Sequence, residues 1–151
     1  MTVDDTDIRE ILDADKEIVE NVEWSHDDSH AAWCKFQVPV ESDSGHPLRM
    51  AGNYNPLAEK LSFTLIHPSE GRIYSLDLGQ KHHNPTCEDV GSPHKHQWTE
   101  QFDDKKAYEP EDIEASSSDV EQAWAEFRAE ANIVHRGEFL APPPIQTRID
   151  A

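Results

Sequence analysis

Leu61-Ser-Phe-Thr-Leu-Ile-His-Pro-Ser-Glu-Gly-Arg-Ile-Tyr-Ser-Leu-Asp-Leu78 reads as two strands joined by a turn. Leu61, Phe63 and Leu65 alternate with Ser62 and Thr64, the period of a strand with one buried face. Pro68 to Gly71 then turns the chain into Arg72 to Leu78. Upstream, Leu48 to Tyr54 is bounded by Ser44-Gly-His-Pro47 and Asn55-Pro56. Before it Cys34, Phe36, Val38 and Val40 alternate with Lys35, Gln37 and Pro39. Pro39 has no N–H to give a ladder, which suggests an edge or a strand end. Short strands separated by turn residues describe an antiparallel meander, and His94 to Phe102 can add one more, with His94, His96 and Trp98 on one side and Lys95 and Gln97 on the other.

Helices flank this sheet in the sequence. Near the N-terminus Asp7 and Glu10 have capping-box spacing, and Ile8, Ile11, Leu12, Ile18, Val19 and Val22 fall near one face of a helix of about four turns. Ser118-Asp-Val-Glu121 is a second capping box, followed by Val120, Trp124, Phe127, Ala131 and Val134 on one stripe, which predicts a helix over 118–134. The fold class expected is α+β: an antiparallel sheet of four to five strands with an N-terminal helix and a C-terminal amphipathic helix packed on it. Residues 1–140 form one domain, and the Pro-rich residues 141–151 an extended tail.

Composition narrows the class further. A chain of 151 residues with 36% hydrophobic content can bury roughly two-thirds of the surface its unfolded form exposes. No apolar run approaches the about 18 residues of a membrane span, and the acidic start is unlike a signal peptide, so a cytoplasmic protein with no membrane association is expected. Cys34 and Cys87 read as reduced thiols. The net charge of −18 is uneven, because residues 72–106 hold five bases against six acids and form a nearly neutral island. The acidic remainder suits either a salty cytoplasm, where screening shortens to about 3 Å at 1 M salt, or docking on a basic partner.

The neutral island carries the chemistry. His82, His83, His94 and His96 stand among Gly79, Pro85, Gly91 and Pro93, behind the strand that ends at Asp77. Paired imidazoles can take a 2′-hydroxyl proton and protonate a leaving 5′-oxygen, which with a cation on phosphate is enough for RNA cleavage without a cofactor. His94 and His96 project side by side, His82 or His83 can face them, and Lys81, Lys95 or Arg72 can bind phosphate. A metal site is a second use of the same residues: His94-x-His96 is a chelating geometry, and Asp77, His83 or Cys87 can complete it. A third possibility is that these side chains only fasten loops. Trp98 and Tyr108 can stack a base but are more often core, whereas His46, His67 and His135 stand alone.

The pattern Leu76-Asp77-x-Gly79, His83-Asn84-Pro85 and Gly91-x-Pro93-His94-Lys95-His96, with a terminal amphipathic helix, resembles small prokaryotic proteins of the TumE-like toxin group, over about residues 32–135. It is similar also to small proteins with an Asp…His-x-Asn-Pro…His-x-His pattern. The resemblance implies a toxin-type ribonuclease held in check by a cognate antitoxin or other protein partner, acting on RNA. His94, Lys95 and His96 match the most recognisable motif of that family, and Asp77 and His83 match further positions. The expected enzyme has His94 and His96 as acid and base, His83 and Asp77 assisting and Lys95 on phosphate, with Lys81 and Arg72 added from their place in the neutral island. The doubled His82-His83, the acidic Thr86-Cys-Glu-Asp89 insert and the overall charge depart from it. The alternatives are a non-enzymatic inhibitor that docks by its acidic surface and a small His-based metal-binding protein.

Overall fold

The computed structural model describes residues 4–27, 32–79, 82–110, 113–116 and 118–142. Capping decides where it starts. Asp4 accepts from the Asp7 amide and the Asp7 side chain accepts from the Asp4 amide, so helix α1 runs over Asp5–Asp13 with its box one turn earlier than the Asp7–Glu10 spacing predicts. The helix is also shorter than expected, because Lys16–Ile18 is strand β1. β1 pairs in parallel with β11 (Ile133–His135) and antiparallel with β3 (Cys34–Ser42). Lys16 explains the stop: its Nζ donates to Leu12 O and Ala14 O, both at 2.8 Å, and to Ala131 O at 2.7 Å, so one buried ammonium satisfies the carbonyl ends of both helices.

The meander follows as β3, β4 (Leu48–Asn55), β5 (Lys60–His67) and β6 (Gly71–Leu78), each antiparallel to the next. It is part of a larger sheet than the four to five strands expected. With β2 (Ser25–His26), β9 (His94–Gln97) and β10 (Ala107–Tyr108), the main sheet has nine strands in the order β10-β9-β6-β5-β4-β3-β1-β11, with β2 also on β3. β9 is the strand expected from His94 onward, cut short at Gln97, whereas the members not expected, β1, β2, β10 and β11, are two or three residues long, too short to show a period. A separate hairpin joins β7 (His82–His83) and β8 (Asp89–Val90). Pro39 stands in mid-strand, at a gap where β3 has a ladder partner on one side only, so the edge it predicts is local. It pairs with Arg49 of β4, and on the other side of β3 the contacts of β2 and β1 fall at residues 34–35 and 41–42, so Pro39 lies between them.

Helix α2 (Val120–Glu130) is capped by Asp119, whose side chain accepts from the Gln122 amide, one residue after the Ser118 expected. It ends before 134, since Asn132 adopts φ 56° and donates to Leu12 O and Asp13 O, and Val134 belongs to β11. Trp124 and Phe127 drive into one face of the sheet. Trp124 lies 5.7 Å from Phe36 and 5.1 Å from Phe63 between ring centroids, and Phe127 stacks on Tyr74 at 5.4 Å. Burying each such ring contributes about 1.5–3 kcal/mol. Ile8 and Ile11 of α1 join the same cluster. Gly52 faces Phe36 across the ladder, and a Cβ there would stand 2.0 Å from the ring, so the aromatic core needs a glycine at this point. Trp98 also joins this core, because β9 ends at Gln97 before the expected alternation can reach it.

β6 departs from a one-faced strand: Ile73 to Leu78 are all buried. Tyr74, Leu76 and Leu78 pair with Leu65, Phe63 and Leu61 toward the helices, whereas Ser75 and Asp77 face the other way. That second face is covered by the chain leaving β6. Gly79 makes the turn at φ +84°, where a Cβ would meet Glu59 O at 1.8 Å, and its amide donates to Ser92 Oγ at 2.7 Å. Asn84 fastens the returning segment to β10, donating to Ala107 O at 2.8 Å and accepting from the Ala107 amide at 2.7 Å. Ala141 and Pro142 are the last described residues of the Pro-rich tail; the rest of it lies outside them. Among the described residues no helix is long and apolar enough to cross a membrane.

Candidate metal centre

Register places the ionisable groups. β6 and β9 pair Asp77 with His94 and Ser75 with His96, so the period of two puts all four side chains on the face away from the helices. All four residues are buried. Asp77 Oδ2 lies 3.1 Å from His94 Nε2 and 3.4 Å from His96 Nε2, and the three ligand atoms fall within 4.8 Å of one another.

The other ring nitrogens decide what these distances mean. His94 Nδ1 faces Gly91 O at 3.2 Å, and His96 Nδ1 faces Asp104 O at 2.8 Å. A carbonyl only accepts, so each Nδ1 carries the proton and donates it. In the neutral imidazoles both Nε2 atoms are then bare lone pairs, aimed at a carboxylate oxygen that is also an acceptor. Three acceptors converging on one point repel unless a cation lies among them. Two imidazoliums would satisfy the geometry, but they would bury two charges against one carboxylate, with a guanidinium beside them. A divalent ion carries the same two charges, but it is held by all three ligand atoms at once and meets each lone pair directly. Tetrahedral coordination with bonds of about 2.0–2.1 Å separates ligand atoms by about 3.3–3.4 Å. The two Asp77–imidazole separations fall close to that edge.

Electrostatics prepare the carboxylate for this. Burial pushes the Asp77 carboxyl up, while hydrogen bonds and charge from His94 and His96, which need a proton on the Nε2 atoms, pull it down to about 2; positive charge among the three groups thus keeps this carboxylate ionised. Arg72 stands at the rim, with Nη1 3.9 Å from Asp77 Oδ2, while its Nε and Nη2 donate to Asp104 Oδ2 and Asp104 O, both at 3.1 Å. Asp104 O thus accepts from Arg72 and His96 together, which locks the second shell of the site. The Ser75 hydroxyl, opposite His96, is buried with no hydrogen-bond partner among the described residues.

His82 comes to the site and His83 does not. The His82 ring lies 4.6 Å from that of His96 and 5.9 Å from that of His94, and its Nε2 donates to Lys105 O. Burial pushes the His82 imidazole down, the nearby His96, His94 and Arg72 add to this and the Lys105 carbonyl opposes it, so the ring is neutral at pH 7. His83, its neighbour in a two-residue strand, projects the other way, exposed, with Nδ1 2.8 Å from Asp89 Oδ1. Cys87 is exposed as well.

Lys95 corrects a second expectation. It lies between His94 and His96, so the alternation that pairs the imidazoles turns it to the opposite face. There its fully buried ammonium forms an ion pair with Glu130 of α2 and sits 5.6 Å over the Tyr74 ring. Lys81 lies outside the described residues. Asp77, His94, His96 and Arg72 are therefore brought together, while His83 and Lys95 stand apart from them. The sequence did not reveal the carbonyls of Gly91, Asp104 and Lys105, since any residue type supplies one. The doubled His82-His83 held the one available signal, because adjacent strand residues face opposite ways.

Residues 3–133 match the model of a family of unknown function, DUF6978, and the chain belongs to that family. The matched span contains every residue of the site. No curated protein and no solved structure matches the chain.

Proposed function

We propose that this DUF6978 protein binds a divalent first-row transition ion of the zinc kind, with Asp77, His94 and His96 as its ligands. One observation carries it: both imidazoles give their Nδ1 protons to backbone carbonyls, so two bare Nε2 atoms and one carboxylate oxygen converge. Imidazole with a single carboxylate suits Zn, Fe, Ni or Cu better than Mg or Ca, which prefer oxygen. The histidine N–H to carbonyl bonds are the outer shell that such ligands ordinarily have. The unpartnered Ser75 hydroxyl adds a polar atom on the same face.

A ribonuclease of the toxin type would draw on the same imidazoles but would need a cation on phosphate. Lys95 is committed to Glu130 on the far side of the sheet, and Arg72 to Asp104. The geometry therefore favours the metal-binding protein. The test is metal analysis of the purified protein, followed by chelation and titration with Zn²⁺ and Co²⁺. About one ion per chain is expected, absent in His94→Ala. Failure of the wild-type chain to bind either ion would eliminate the proposal, and RNA cleavage by the chelated protein would restore the ribonuclease.

A further inference from the structure

We infer that His82 is the fourth ligand of this centre, so that the ion fastens the β7–β8 hairpin to the sheet. The inference rests on the three-ligand site proposed above and adds a residue and a structural consequence to it.

Three observations point to His82. First, the rings of His82, His94 and His96 form a triangle, with centroid separations of 4.6, 5.1 and 5.9 Å. Imidazoles held by one tetrahedral ion have centroids about 5 Å apart, given metal–nitrogen bonds of about 2.0–2.1 Å. Second, the three rings are polarised alike. His94 donates to Gly91 O, His96 to Asp104 O and His82 to Lys105 O, and each is left with one bare nitrogen. For His82 that nitrogen is Nδ1. Third, Asp77, His94 and His96 supply only three ligand atoms and all are buried, which leaves a fourth position for a group already on this face.

The converging group now consists of Asp77, His94 and His96, with the His82 ring packed beside it. Coordination by His82 therefore requires the hairpin to settle inward. Among the described residues its polar anchors include Asn84 on the Ala107 backbone, the Gly91 amide on Glu109 and the Lys105 carbonyl that His82 itself holds. A hairpin with two-residue strands has little stability of its own, and a ligand bond from its first residue would order it. With four protein ligands the centre is closed, the arrangement of a structural ion and not of a catalytic one with an open position.

The experiment compares the full-length wild type with His82→Ala, His82→Asn and His83→Ala, each checked for folding by circular dichroism. Asn can still donate to Lys105 O but is a poor zinc ligand, so it separates the ligand role from the hydrogen bond. Both His82 variants are expected to lose at least about tenfold in Zn²⁺ affinity. They should also lose intensity in the Co²⁺ visible bands, where tetrahedral sites absorb strongly. His83→Ala should match the wild type. Zn²⁺ should slow hydrogen exchange of residues 82–90 in the wild type and not in His82→Asn. Unchanged affinity and Co²⁺ bands in both His82 variants would overturn the fourth ligand while leaving the three-ligand site intact. Absence of Zn²⁺ and Co²⁺ binding in the wild type would remove both.

Discussion

Asp77 and His94 stand directly opposite each other in the β6–β9 ladder, and their side chains meet at 3.1 Å between Oδ2 and Nε2 on the buried outer face of the sheet. Direct opposition is the closest approach two strands offer, and here it brings two acceptors together because the far nitrogen of His94 is spent on Gly91 O. Everything else in the site is arranged around that pair.

Asp77→Asn preserves the shape of the carboxylate and removes its charge. At zinc concentrations a hundred times Kd the wild type should gain about 2.7 kcal/mol, or about 5–10 °C in melting temperature for a chain of this size. In the variant a thermal melt with and without Zn²⁺ should show little or no shift. A full shift would show that the carboxylate does not ligate.

Lys95 and Glu130 join β9 to α2, and the two halves of the pair are not equivalent. Lys95 is wholly buried, whereas a third of the Glu130 side chain reaches solvent. Glu130→Gln therefore leaves an ammonium facing a neutral group in the interior and should cost about 3–5 kcal/mol. Lys95→Met leaves a carboxylate that water can reach and should cost less. Urea unfolding ranks the two, and zinc affinity should not change in Lys95→Met.

Gly79 turns the chain from β6 over the site. Gly79→Ala meets both a left-handed φ and the Glu59 carbonyl, so a loss of at least about 1–3 kcal/mol is expected in urea unfolding. The same variant should weaken Zn²⁺ binding, because the carbonyl of Gly91 that orients His94 is carried by the segment this turn directs.

The two thiols should differ sharply in reactivity. Burial pushes the Cys34 thiol up to about 11, with a backbone hydrogen bond partly opposing, while Cys87 is exposed. At pH 8 an alkylating or disulfide reagent should label Cys87 in the folded protein and reach Cys34 only on unfolding. Because the folded value of Cys34 is raised, its contribution to stability is complete below the unfolded value near 9 and is lost as pH rises through about 11. Rapid labelling of both thiols in the native protein would contradict this burial.

The sequence alone determined what has a short period. Alternation over 34–40 and 61–65 specified the strands, the stripe through Trp124 and Phe127 specified α2, and the spacing of His94 and His96 placed both imidazoles on one face, because side-chain direction follows from neighbouring dihedrals. Tertiary structure decided what depends on partners distant in the chain. Lys16–Ile18 is a strand because β3 and β11 offer it ladders that outweigh a helical pattern, and Trp98 is core because β9 stops at Gln97. The site divides in the same way. That His82 and not His83 faces the centre, that Asp77 lies opposite His94, and that carbonyls at 91, 104 and 105 fix the tautomers are matters of register and chain return. Backbone carbonyls are common to every residue type, so only the folded chain could show which imidazole nitrogens they leave bare.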